Sequence, residues 1–283
     1  MPNPSTRGRS VLFWIIAVVI TVAAAAYQRR IGPTRPVRGE VNLGQTELRY
    51  TLDRSHGGEE DHQVSIEVPD QEISGYLLFR RYKTGDPWFR RPLVYEEGRL
   101  HASIPHQPPA GKVIYRLNLY PDRTRDGDPV AVPPEGPVVL RYRGSVPAWV
   151  MIPHVLFIFL AMLWSNRAGI EALRSGADLR RLTQGALGLM VVGGLIFGPA
   201  VQWYAFGAAW TGFPLGSDLT DNKTLIATVA WIAAMIAVLR RGRGARWWVL
   251  GATIVTLGIF SIPHSVLGSE LDYSSLPEAA STP

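Results

Sequence analysis

Two histidines in this chain follow prolines at the ends of apolar runs, in Ile152-Pro153-His154-Val155 and Ile262-Pro263-His264-Ser265. Imidazole with carboxylate is the ligand set for zinc, manganese or non-haem iron, and two facing imidazoles can hold a b-type haem. Carboxylates occur near the same predicted level, in Asp218-Leu-Thr-Asp-Asn-Lys223 and Gly268-Ser-Glu-Leu-Asp-Tyr273. His154 and His264 are therefore the candidate cofactor ligands, for a haem b or a divalent metal. With Asp218, Glu270 and Asp272 they form the candidate metal set, and Asp221, Lys223 and Tyr273 complete a polar rim. A simpler reading accompanies each. Thr220 or Asp221 suits a helix N-cap, where acidic groups favour the positive end of the dipole. Asp218 with Lys223 reads as a surface ion pair worth under about 1 kcal/mol. No i, i+3 or i, i+4 histidine pair strengthens the metal reading.

The elements that must position these residues are apolar helices. A helix crossing the hydrocarbon core needs about 20 apolar residues, with tolerance for shorter spans. Five stretches meet or approach that: Val11 to Tyr27, Pro147 to Trp164, Gly185 to Ala209, Thr224 to Leu239 and Trp247 to Ile262. The first, within an N-terminal segment 1–30, has a competing identity as a signal peptide. Arg7 and Arg9 precede it, and Ala23 to Ala26 resemble a cleavage site. Gly194 and Gly198 form a small-x-x-x-small pair that predicts close helix packing.

The chain holds 29 Lys+Arg and 23 Asp+Glu, a net charge of +6. Residues 31–146 are balanced, so the excess lies in short clusters beside the apolar runs. That is the positive-inside distribution of a membrane protein, not a nucleic-acid surface. With residues 31–146 outside, the inner side carries Arg7, Arg9, Arg167, Arg174, Arg180, Arg181, Arg240, Arg241, Arg243 and Arg246 against Glu171 and Asp178. The expected orientation is N-terminus cytoplasmic, with the central domain and C-terminus exported, in a bacterial inner membrane with that domain in the periplasm.

Between residues 31 and 146 short alternating stretches separated by Gly and Pro replace the apolar runs. Strands are expected at 47–52, 63–68, 74–81, 93–95, 100–104, 113–120 and 138–142, which suggests an immunoglobulin- or fibronectin-like β-sandwich. Trp88 and Phe89, flanked by Arg80, Arg81, Arg90 and Arg91, could form a binding surface or an ordinary strand pair with solvated arginines. Tyr115 reads as a core tyrosine or a tyrosine corner. His56, His62, His101 and His106 read as surface residues. The expected organisation is an anchor, this inserted exported sandwich, a four-helix bundle over 147–273 with an aromatic outer loop at 202–222, and a disordered tail at 274–283.

With no cysteine, disulfide scaffolds, Fe–S clusters and thiol nucleophiles are excluded. No P-loop, G-x-S-x-G elbow or H-E-x-x-H helix is present. The expectation is a non-enzymatic membrane protein, lipid-embedded, whose exported domain binds a periplasmic or membrane protein partner as an assembly or scaffold component. The alternative is a metal- or haem-binding outer-leaflet redox protein or hydrolase using His154 and His264.

Overall fold

The computed structural model describes residues 4–240, 244–263 and 270–275. The chain divides into a helical unit, up to Pro33 and from Val146 to Ser269, and a β unit, Thr34 to Ser145 with the segment from Glu270 onward. Apolar helices and several β-sheets therefore coexist in a mixed fold.

The helices are α1 (Pro4–Ile31), α2 (Ala148–Ala172), α3 (Arg180–Met190), α4 (Gly198–Phe206), α5 (Leu219–Leu239) and α6 (Ala245–Ser261). A π-helical turn, Val191–Phe197, joins α3 to α4. Among the described residues four stretches are long and apolar enough to cross a membrane: Gly8–Ile31, Ala148–Ala172, Arg180–Phe206 and Leu219–Leu239; α6 has 17 residues. Their outward side chains are apolar, including Val11, Ile15, Val19, Ile152, Leu156, Phe159, Ile226 and Val229. Water would not tolerate such a continuous apolar exterior, but lipid does.

Inside the bundle small residues dominate, with Ala161, Ala168, Ala186, Ala227 and Ala234 fully buried around Trp231. In lipid, helices associate by close packing and by hydrogen bonds between their side chains. Trp231 Nε1 donates to Thr256 Oγ1 at 2.9 Å, and Thr253 Oγ1 donates to the Ser165 carbonyl at 3.0 Å. A Cβ on Gly169 would stand 2.6 Å from Thr253 Cγ2, so only glycine permits that crossing. Helix α1 packs on α2 through Trp14 and Trp164, 5.0 Å apart edge to face, and through a 2.9 Å bond from Asn166 Nδ2 to Thr21 Oγ1.

The β unit contains β1 (Val37–Leu43), β2 (Thr46–Leu52), β3 (Ser55–Gly57), β4 (His62–Glu67), β5 (Ser74–Arg81), β6 (Phe89–Pro92), β7 (Val94–Glu96), β8 (Arg99–Ile104), β9 (Lys112–Tyr120), β10 (Val130–Val132) and β11 (Val138–Arg143). The seven expected strands are present with ends displaced by a residue or so, and β1, β3, β6 and β10 are additional. One sheet runs β3-β11-β9-β5-β6 with β10 also paired to β9; the others are β4-β8-β7 and the β1-β2 hairpin. Alternate residues from all three sheets, among them Leu48, Leu52, Val64, Ile66, Leu77, Leu100, Leu117 and Leu140, fill one core. Tyr115 is wholly buried in it and donates to the Asp53 carbonyl at 2.8 Å, 62 positions away in sequence. That long-range bond ties β9 to the turn between β2 and β3 and is not the local contact of a tyrosine corner.

Candidate functional site

Within the helical unit, every polar residue of Asp218 to Lys223 other than Thr220 has a side-chain role at the start of α5. The helix begins two or three residues before the expected point, so the N-cap is Asp218 and not Thr220 or Asp221; its Oδ1 accepts from the Thr220 amide at 2.7 Å. Asp221, freed from capping, turns to the loop before it. Its Oδ2 accepts from the Thr211 amide at 2.6 Å, the Gly212 amide at 3.0 Å and Gln202 Nε2 at 3.0 Å. A Cβ on Gly212 would lie 2.5 Å from Asp221 Cβ, which explains the glycine. Asn222 Oδ1 accepts from the Phe213 amide at 2.7 Å. Lys223 Nζ donates to the Ile262 and Pro263 carbonyls at 2.9 and 3.1 Å, capping the end of α6. A cation at a helix C-terminus is favourable both as a donor and against the dipole.

His154 lies on α2, and its Nδ1 is 2.9 Å from the Gly193 carbonyl in the π-helical turn. The Gly198 amide donates to the same oxygen, the wide rung that defines the π turn, and Pro199 has no N–H to add the next. Because the carbonyl only accepts, Nδ1 carries the proton in this bond and Nε2 is the ring's second nitrogen. Gly194 is a close-approach position, where a Cβ would sit 2.6 Å from Thr224 Cγ2. At Gly198 the nearest atoms to such a Cβ are 3.7 and 3.8 Å away, ordinary contacts, so the tight interface centres on Gly193 and Gly194. His264 lies outside the described residues.

Glu270, Asp272 and Tyr273 belong to the β unit. Glu270 bridges Lys83 and Lys112, with both ion pairs at 2.7 Å. Burial pushes its carboxyl up, but hydrogen bonds from Lys112 and Lys83 outweigh this and leave it below the usual carboxylate range. Asp272 accepts from the amide and hydroxyl of Ser274 at 3.0 and 2.6 Å. Tyr273 is buried; its hydroxyl donates to the Lys112 carbonyl at 3.0 Å, and the Arg81 guanidinium lies 5.0 Å from its ring centre. Residues 274 and 275, expected to begin a disordered tail, are in a short 3₁₀ turn starting at Tyr273. Among the described residues no three His, Asp or Glu side chains converge as a metal-ligand set.

The six-stranded sheet carries a different feature. Its basic residues are Arg80 and Arg81, Arg90 and Arg91, Lys112 and Arg116, and Arg141 and Arg143, and none of its strands contains Asp or Glu. Register places Arg90 and Arg116 on either side of Leu78, on the face opposite the core residues Leu77 and Leu117. Arg80 and Arg116 approach the Trp88 ring, at 4.9 and 5.9 Å from its centre, and Arg90 lies 3.6 Å from that of Tyr76. Aromatic faces hold the guanidinium groups by cation–π attraction without neutralising them. Asp86, the nearby carboxylate, is engaged by Arg81 through bonds of 2.5 and 2.9 Å. Trp88 is exposed. The sequence signal for this surface was the absence of acidic residues from 73–85, 87–95 and 98–121. Arg116, distant in sequence from Trp88, joins it only through strand register.

Register also gathers histidines that the sequence scatters. His56 and His106 both pack edge-on to Tyr142, at 5.4 and 5.6 Å, and His56 Nδ1 is 3.3 Å from His62 Nδ1. His62 is buried, not on the surface as expected, and burial followed by the neighbouring His56 lowers its pKa to about 4.

No protein-family model matches the chain, and no curated protein matches it.

Proposed function

We propose that the protein is an integral membrane protein whose exported β unit binds an anionic partner, acting as an assembly or scaffold component. The β unit is read as an immunoglobulin- or fibronectin-type sandwich and the bundle as five membrane spans, with α1 retained as an anchor and α6 the shortest. The Thr21–Asn166 bond and the Trp14–Trp164 contact support retention of α1. The excess of arginine at one set of helix ends supports an N-in orientation, with a bacterial inner membrane as the setting and the β unit in the periplasm.

The observation that carries the binding role is the arginine–aromatic face around Trp88, on strands that contain no acidic residue. Arginine and tryptophan are enriched where interfaces concentrate their binding energy. An excess of positive charge selects an acidic partner surface and accelerates encounter with it. A photo-crosslinking residue at position 88, in the full-length chain in native membranes, should give a discrete adduct that disappears with Arg80→Gln plus Arg116→Gln. The same residue at Gln63, on β4, should give none. Equal labelling from both positions would count against the reading.

A second reading has one specific observation behind it. A histidine whose Nδ1–H is held by a backbone carbonyl is arranged as metal-bound histidines are, with Nε2 available as ligand. His154 has this arrangement, and a haem or metal shared with His264 would make the protein an outer-leaflet redox protein or hydrolase. An absorption spectrum with elemental analysis of detergent-purified protein tests this. Stoichiometric metal or a Soret band, lost in both His154→Ala and His264→Ala, would support it; colourless, metal-free protein would end it.

A further inference from the structure

The chain supplies a ligand to its own β unit. The segment Glu270–Ser274 lies on the β unit through acidic, aromatic and backbone groups. Glu270 spans Lys83 and Lys112, Tyr273 lies under Arg81 and bonds to the Lys112 carbonyl, and the Leu271 amide donates to the Ala110 carbonyl at 3.2 Å. Asp86 holds Arg81 from its edge through two bonds, leaving the guanidinium face for the tyrosine ring. Two features mark this as a docking site rather than a structural seam. The segment does not fill its seat, because a cavity of about 510 Å³ remains between it and the Arg81–Asp86 turn. Glu270 and Lys83 are also substantially exposed, at 38% and 63% of their side-chain surface. Exposed ion pairs and isolated hydrogen bonds are individually weak in water. A tethered segment can nevertheless occupy such a seat, since attachment gives it a millimolar effective concentration.

From this geometry we infer that the cradle of Arg81, Lys83 and Lys112 is a binding site for acidic, tyrosine-bearing peptide segments, with residues 270–274 as its resident and displaceable occupant. A partner protein presenting a carboxylate followed within a few residues by tyrosine would compete for the lysine pair and the arginine face. The site adjoins the arginine–tryptophan face through Arg81 and Asp86, but Lys83 and residues 270–274 belong to it and not to the surroundings of Trp88, so the lysine substitutions test it apart from that face.

The test uses the full-length protein in lipid nanodiscs and a fluorescent peptide, Glu-Leu-Asp-Tyr-Ser-Ser, blocked at both ends. The Glu270→Ala plus Tyr273→Ala chain, with its own segment disabled, should bind the peptide at least tenfold more tightly than the wild type. Adding Lys112→Gln and Lys83→Gln should abolish that binding, and raised salt should weaken it. An unchanged thermal transition shows that each variant is folded. A second readout needs no substitution: excess peptide added to the wild type should speed hydrogen exchange at the Leu271 amide. Failure of the disabled chain to bind, or binding indifferent to the lysines, would overturn the inference. So would a Leu271 amide unmoved by saturating peptide.

Discussion

The Asp221 carboxylate lies 2.6 Å from the amide nitrogen of Thr211, ten positions earlier in the chain, and the same oxygen accepts from Gly212 and Gln202. One buried carboxylate thus organises the connection between α4 and α5. Asp221→Ala should lower stability by about 3 kcal/mol, since it leaves two backbone donors and an amide without their acceptor. Asp221→Asn, which keeps a carbonyl oxygen, should lose about half as much. Thermal unfolding in detergent, followed by tryptophan fluorescence, measures both.

Lys223, near the start of α5, ties that helix to the two carbonyls that follow α6. Lys223→Met preserves the apolar stem but removes the donor, at a cost of about 2 kcal/mol. Hydrogen exchange should rise at the end of α6 and at the start of α5, while the β unit remains unchanged. Uniform exchange across the bundle would show that the lysine does not act locally.

His62 should give the β unit an acid-sensitive stability. Its pKa is lowered from 6.5 to about 4 by burial and then by His56, partly offset by Asp53. The unfolded chain therefore binds a proton that the folded chain resists. Stability is full above about pH 6.5 and falls as the pH drops toward 4, by on the order of 3 kcal/mol in total. His62→Gln should flatten that slope between pH 6.5 and 4 in denaturant titrations of the full-length protein. An unchanged slope would place the acid sensitivity elsewhere.

Much of the helical part was legible because a span's length and apolarity are local properties. The loop between α4 and α5 was not. Asp218-Leu-Thr-Asp-Asn-Lys223 contains several residues able to cap a helix, and only the partners Thr211, Phe213 and Ile262, all distant in sequence, assign each one. In the β unit, β5 shows in its alternation, while β3 and β10 have three residues each, too few to reveal a period. β1 is interrupted by Gly39, which faces the Tyr50 ring where a Cβ would overlap the phenol. Glu270 and Tyr273 were grouped with the rim of the bundle by chain position. Their partners Lys83, Lys112 and Arg81 lie more than 150 positions earlier, and no local pattern encodes that pairing.

The proposed export of the β unit on a membrane anchor can be read by cysteine labelling, because the chain has no cysteine of its own. Single cysteines would replace Asp126, in the β unit, and Arg181, at the start of α3, in intact cells treated with a membrane-impermeant maleimide. With the proposed topology, position 126 is labelled without disruption of the cells and position 181 only after it. Labelling at 181 with protection at 126 would invert the topology and place the β unit in the cytoplasm.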